Sequence, residues 1–330
     1  MGLALALLIL TTAPKLDGFV WVTNEASDDV SVIDLQQRAV VATIRVGERP
    51  RAVLPVPGGR EVLVSTARGL ALIDVATRKV VRVLPAGEGP DSFALSIDGG
   101  RAFVSNDDSG ALSVVEIPNG KRLGVIAVGP NPGAVTRSAD GRSIYVTGEE
   151  RVTVIDAHTL DVRARIATQK GPSGIAFSPD GKKAWVTNEQ SGSLTVVDAM
   201  VHLPMWNVSL PGAASRPLGV ALSPDGASVF VTTGRGGSML VVDARTDEVQ
   251  RVIENVGKNP VAVASSPDGG WVVITNAGSN ELSVVSLFTG EVIARIPVGA
   301  GPGSVAFVPE VAAKKSPVLS DRSRPRAKAR

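Results

Sequence analysis

Twelve charged residues stand in polar loops of this chain at offsets fixed by one recurring unit. The acids are Glu25, Asp28, Asp107, Glu149 and Glu189, and the bases are Arg49, Arg51, Arg68, Lys170, Arg216, Arg235 and Lys258. Carboxylates interleaved with guanidinium and ammonium groups can hold a polar ligand or a partner surface through charge-assisted hydrogen bonds. The same pattern also serves loops that need only solvation.

The remaining inventory narrows the chemistry. Cysteine is absent, so the chain has no disulfide framework, thiolate ligand, Cys nucleophile or c-type haem attachment. Its two histidines, His158 and His202, fall in turns far from the charged loops; a metal held by both would still need a carboxylate and a second shell. No Ser sits in a Gly-x-Ser-x-Gly elbow with His and Asp to serve it. Asp28-Asp29 and Asp107-Asp108 lack the spacing of an EF-hand. No catalytic residue, metal ligand or cofactor is assigned.

The elements that must position these loops emerge from a repeat. Its cleanest copy, residues 171–198, reads GPSGIAFSPDGKKAWVTNEQSGSLTVVD. The Pro that opens each unit falls at Pro50, Pro90, Pro132, Pro172, Pro217, Pro260 and Pro302, at spacings of 40, 42, 40, 45, 43 and 42. A period of this length with strand alternation and no helical periodicity predicts propeller blades of four strands. Pro-Asp-Gly turns separate the inner strand from the second: Pro presets φ, Asp bonds forward and Gly accepts a positive φ. The chain starts at a second strand near Phe19 and ends on an orphan inner strand, residues 303–307. The expected fold is therefore all-β: a seven-bladed β-propeller of four-stranded antiparallel blades, closed by pairing the C-terminal inner strand with the N-terminal blade.

Tyr145 occupies an aromatic slot that Trp21, Phe103, Trp185 and Phe230 fill in other units, and that recurs as Leu63 and Val273. Interblade core is expected there rather than a cofactor anchor. The fifth unit departs from the rest, with AMVHLPMWNVSLPGAASRP after Asp198 placing Met205 and Trp206 on an outer edge. These are expected to pack over the sheet rim, with a docking patch as the alternative.

Three segments result: a signal-peptide-like stretch at 1–18, the propeller at 19–311, and a basic tail at 312–330. The tail holds seven Lys or Arg against one acid, leaving a net charge of −4 on the preceding 311 residues although the chain totals +2. The apolar run from Gly2 to Leu10 suits the core of an export signal and is too short to span a bilayer. The tail, with Pro and no apolar periodicity, is expected to be disordered and free to touch anionic surfaces. No interleaved aromatics offer a stacking platform, so there is no strong nucleic-acid signal.

The Trp-Val-Thr-Asn of units one and five, with Phe103-Val104-Ser105-Asn106, Tyr145-Val146-Thr147-Gly148 and Val273-Ile274-Thr275-Asn276, resembles the YVTN family of β-propeller repeats. The likeness runs from about Phe19 to Phe307. Residues 28–53, and Gly89-Pro90-Asp91 followed by Phe93-Ala94-Leu95, are similar to exported propellers associated with PQQ-dependent alcohol catabolism. The resemblance implies a periplasmic or extracellular, non-catalytic binding or scaffold protein. Its ligand would be another protein or a small polar molecule at the channel face, and the protein itself is expected to be a monomer. Two alternatives stay open: a metal-dependent lactonase or lyase in which Glu25 or Glu149 holds the metal, and a cell-surface adhesion protein. A shared ring also links it to haem d1 and quinoprotein amine dehydrogenase propellers, where fold does not imply function.

Overall fold

The computed structural model describes residues 16–211 and 216–309; the basic tail and all but the last three residues of the 1–18 segment lie outside them. Seven four-stranded antiparallel sheets follow one another around a ring. Blade 5 is representative: inner strand Pro172–Phe177, second strand Lys183–Asn188, third strand Ser193–Asp198 and outer strand Leu203–Ser209. Blade 1 takes its second strand Phe19–Asn24 from the start of the chain and its inner strand Pro302–Val308 from the end, with Val20 opposite Phe307 and Trp21 opposite Ala306. The ring therefore closes as the repeat count requires, and no sheet edge is left open at the junction of the two chain ends.

Each conserved letter of the repeat has a mechanical role. In the turn, Asp180 accepts hydrogen bonds from the Ser178 hydroxyl at 2.6 Å and the Lys182 N–H at 3.1 Å, while Gly181 takes φ +71°. Where Pro is replaced, at Ile97 and Ala139, the same bonds persist from Ser96 to Asp98 and from Ser138 to Asp140. Pro is thus dispensable where Ser and Asp are present, while in blade 2 Val56-Pro57-Gly58-Gly59 lacks both and closes the turn on backbone bonds alone, Gly59 N–H to the Val56 carbonyl at 3.0 Å. The Ser hydroxyls and forward backbone N–H groups hold Asp98, Asp140, Asp180 and Asp225 below the usual carboxylate range.

The aromatic slot is interblade core. Trp21, Phe103, Tyr145, Trp185 and Phe230 are all buried, and Tyr145 packs on Ala184, Val186 and Val197 of the next blade. Full burial of such a ring is worth on the order of 2 kcal/mol.

The Thr or Ser two residues further along clips each blade to its neighbour. The Thr23 hydroxyl donates to the Arg51 carbonyl at 2.9 Å, Ser65 to Asp91 at 2.6 Å, and Ser105 to Gly133 at 2.8 Å. Beyond blade 4 the series resumes: Thr187 to Leu218 at 2.7 Å, Thr232 to Val261 at 2.9 Å and Thr275 to Gly303 at 2.6 Å. Each hydroxyl thus satisfies a carbonyl on the adjacent inner strand, as a buried polar group must. The Asn that follows is buried too: the Asn24, Asn106, Asn188 and Asn276 amides donate to Ser31, Ser113, Thr195 and Ser283 on the third strands of their own blades. The buried Asn also explains the glycine after outer strands: in Val256-Gly257 a Cβ on Gly257 would lie 2.3 Å from the Asn276 Oδ1, and in Ala86-Gly87 one on Gly87 would lie 2.2 Å from the Asn106 Oδ1.

Candidate functional site

The second residue after each opening Pro is small: Ser304, Ala52, Ser92, Ala134, Gly174, Gly219 and Ala262. Neighbouring inner strands pass close to one another there. A Cβ at Gly174 would sit 2.6 Å from the Leu218 carbonyl oxygen, and one at Gly219 2.5 Å from that of Val261. Small side chains leave the axis open, and all seven inner strands line a central channel of about 850 Å³. Its walls are largely aliphatic, with Val53, Leu95, Val135 and Val263 among them; its charged lining residues are Glu25, Arg51, Asp91 and Arg137.

Three of those four meet at one side of the mouth. Arg51 opens the inner segment of blade 2, and its Nη1 donates to the Asp91 Oδ1 of blade 3 at 2.6 Å. The Arg51 Nε lies 3.3 Å from the Oε1 of Glu25, in the loop after the second strand of blade 1. Burial works against the Arg51 charge, but Asp91 and Glu25 more than offset it and raise its pKa above the ordinary guanidinium value. Arg49 adds a bond to the same Glu25 oxygen at 3.3 Å, and its backbone N–H donates to Asp28 at 2.9 Å. Beside this chain of charges Arg49 and Arg51, with Gly89, Asp107 and Asp108, line a second hollow of about 110 Å³.

The twelve charged loop residues thus divide. Glu25, Asp28, Arg49 and Arg51 converge, and Asp107 joins them at the smaller hollow. Arg68 pairs with Glu48 at 3.4 Å in solvent, Arg216 pairs with Glu189 across the junction of blades 5 and 6, and Glu149 accepts from the Asn131 amide at 3.1 Å. Lys170, Arg235 and Lys258 form no ion pair among the described residues. Glu25 and Glu149, the two candidate metal carboxylates, are thereby engaged separately, and no group of three or more His, Asp or Glu converges among the described residues.

Asp91 and Arg137 are the site residues that loop-based reasoning misses, because both lie in inner strands. A signal for Asp91 does exist. At the position after the opening Pro the other units carry Gly303, Gly133, Ser173, Leu218 and Val261, and the two charged exceptions, Arg51 and Asp91, are one repeat apart and of opposite sign.

The histidines stand elsewhere. His202, in the third-to-outer turn of blade 5, has Nδ1 at 2.6 Å from the Tyr145 hydroxyl of blade 4. Burial pushes the Tyr145 phenol far above its ordinary range. Burial, with help from the Arg163 charge, lowers His202, which favours a neutral imidazole in the hydrogen bond with the Tyr145 hydroxyl. The pair belongs to the interblade seam and lines neither channel nor hollow.

Fold and channel together define a seven-bladed β-propeller with a charged mouth. Residues 10–142 match the model of YNCE-like beta-propellers and residues 136–292 that of lactonase, 7-bladed beta-propeller. The first three blades and the last four are thus similar to two propeller families. No curated protein matches the chain. Among solved structures, hydrazine synthase of Kuenenia stuttgartiensis matches at 21% identity and TM-score 0.70, over 77% of this chain and 88% of that one. A functionally unknown protein from Desulfotomaculum acetoxidans matches at 15% and 0.75, over 89% and 100%. Dihydro-heme d1 dehydrogenase NirN in complex with DHE matches at 18% and 0.66, over 91% and 77%. At these identities the likeness is one of fold.

Proposed function

We propose that this chain is an exported, non-catalytic binding protein whose channel mouth on blades 1–3 takes a small polar ligand or a polar segment of a partner. One observation carries the reading: the Arg51 guanidinium is held between Asp91 and Glu25 at the mouth of an open channel. Two carboxylates from neighbouring blades fix its orientation in advance, which lowers the ordering cost of binding. A ligand carboxylate can replace Glu25 on the guanidinium, and a ligand amine can bridge the two acids.

The test is a thermal-shift and calorimetric screen of small carboxylates, amines and sugars against the purified protein and its Arg51→Ala variant. Ligands that stabilise the wild type and lose at least ~tenfold in affinity with Arg51→Ala, a change of about 1.4 kcal/mol, support the reading. Equal binding by both proteins would move the site elsewhere. A finer proposal, service to a PQQ-dependent alcohol oxidation system, rests on the resemblance of residues 28–53; co-purification with a quinoprotein dehydrogenase tests it. Export is tested by sequencing the N-terminus of protein recovered outside the cytoplasm.

A second reading, lactone hydrolysis, draws on the match of residues 136–292 to the lactonase model. Lactone turnover in the presence of divalent cations, lost with Glu25→Gln or Glu149→Gln, would replace the non-catalytic reading.

A further inference from the structure

From each opening Pro to the fifth residue after it, the inner segments of the seven blades carry charge at only three positions: Arg51, Asp91 and Arg137. The first two answer each other at the mouth. Arg137 stands alone toward the other end of its strand, at a position where the remaining blades have Pro55, Leu95, Phe177, Leu222, Ser265 and Phe307. It is half-buried, its Nη1 donates to the Ser138 carbonyl at 3.3 Å, and it forms no ion pair among the described residues. The cations that act on the turn acids beside it, Asp98 and Asp140, are Arg101, Arg142 and Arg163.

The channel is deeper on that side of the ring. Its lining reaches Pro57, Ser96 and Arg137 on blades 2–4 and stops at Ile175, Val220, Val263 and Val305 on the other four. Between the mouth and Arg137 the third residue after every opening Pro is apolar, and no charged residue lines the interval. Arg51 and Arg137 are four strand residues apart in register, about 13 Å along the strand direction. An aliphatic wall that ends in one fixed polar group is the common pattern of a small-molecule site.

We propose that the channel binds a monocarboxylate with an aliphatic chain, the carboxylate on the Arg137 guanidinium and the chain along the apolar wall toward the mouth. The occupant follows from the cation and its surroundings. A guanidinium presents paired N–H donors in the geometry a carboxylate accepts. One cation balances one negative charge; a phosphate monoester, close to doubly charged at neutral pH, would leave charge uncompensated beside aliphatic side chains. An amine would meet a like charge. Each methylene that leaves water for the wall adds to binding, so affinity rises with chain length. The site does not use Arg51, so it stands or falls apart from the reading of the mouth.

Isothermal titration calorimetry of the purified full chain with hexanoate, octanoate, decanoate, decanol and acetate tests the proposal. Arg137→Gln removes the charge, Arg137→Lys keeps it without the fork, and Arg142→Gln alters an exposed neighbour that pairs with Asp140 at 3.9 Å. The expected result is one decanoate per chain, bound more tightly than octanoate and octanoate more tightly than hexanoate. Decanol and acetate should bind wild type at least ~tenfold more weakly, and decanoate should lose at least ~tenfold with Arg137→Gln. Arg137→Lys should recover part of that loss and Arg142→Gln should match wild type, all with far-ultraviolet spectra like that of wild type. No binding of decanoate, or decanol bound as tightly as decanoate, would overturn the proposal without recourse to any variant. A folded Arg137→Gln protein that holds decanoate as wild type does would also overturn it; if Arg51→Ala then lost decanoate, the carboxylate would belong to the mouth.

Discussion

The seams on either side of blade 5 are built from the same repeat and are held in opposite ways. At the seam with blade 6, Thr187 donates to the Leu218 carbonyl and accepts from the Gly174 N–H at 2.8 Å. On its rim side the Trp185 N–H reaches the Asp247 Oδ1 at 2.7 Å, and Lys183 pairs with the same carboxylate at 2.7 Å. At the seam with blade 4, the equivalent Thr147 hydroxyl is buried with no hydrogen-bond partner. In the other blades the acceptor is the carbonyl of the residue after the opening Pro, as at Leu218 and Val261; the counterpart here is the Ser173 carbonyl, and that bond is not made. What spans that seam is Tyr145 with His202. The lesson is that a repeat letter specifies a capacity to bond, while the facing inner strand decides whether the bond is made.

The largest expected effect breaks the stronger seam. Asp247 is 3% exposed, so Asp247→Ala leaves Lys183 without its counter-ion and should cost about 3–5 kcal/mol in urea unfolding; adding Lys183→Met should recover part of it. Thr187→Val removes a hydroxyl that satisfies two backbone groups and should cost about 1–3 kcal/mol. The same change at Thr147 removes a buried hydroxyl with no partner, so Thr147→Val should be about neutral or slightly stabilising. Equal costs at the two positions would erase the contrast between the seams.

The smallest effect is a pH profile. His202 is lowered in the folded state, so the stability it contributes is present above the ordinary histidine value of 6.5 and is lost as pH falls through its lowered folded value. The urea midpoint should therefore decline on the acid side of 6.5. Arg163→Gln should make that decline shallower by removing the charge that disfavours the imidazolium. The turn aspartates act in a separate window: their lowered pKa values confer stability above about 3.9, the unfolded value, which is lost in stronger acid.

The blades, their turns and the ring closure were legible because alternation, Ser-x-Asp-Gly and the 40-residue period are local signals. The mouth was legible in part: Glu25, Asp28, Arg49 and Arg51 stand out as loop charges. Asp91 hid in an inner strand, within a Gly-Pro-Asp that reads as punctuation. Asp247 hid in a turn, Arg-Thr-Asp-Glu, that reads as solvated, although tertiary packing buries it under two indoles. Thr147 and Thr187 sit in the same Val-Thr pattern, and only the three-dimensional register separates a made bond from an unmade one.

The closure of blade 1 also sets an order of events. Thr23 accepts from the Ser304 N–H across 281 residues of chain, so the first blade waits for almost the last strand to be synthesised. Contacts of such long sequence separation form slowly. Until then the Phe19–Asn24 edge is an unpaired strand edge of the kind that makes folding intermediates prone to aggregate. Glu25 hangs from that strand, so the ion-pair chain at the channel mouth is completed only once the ring has closed.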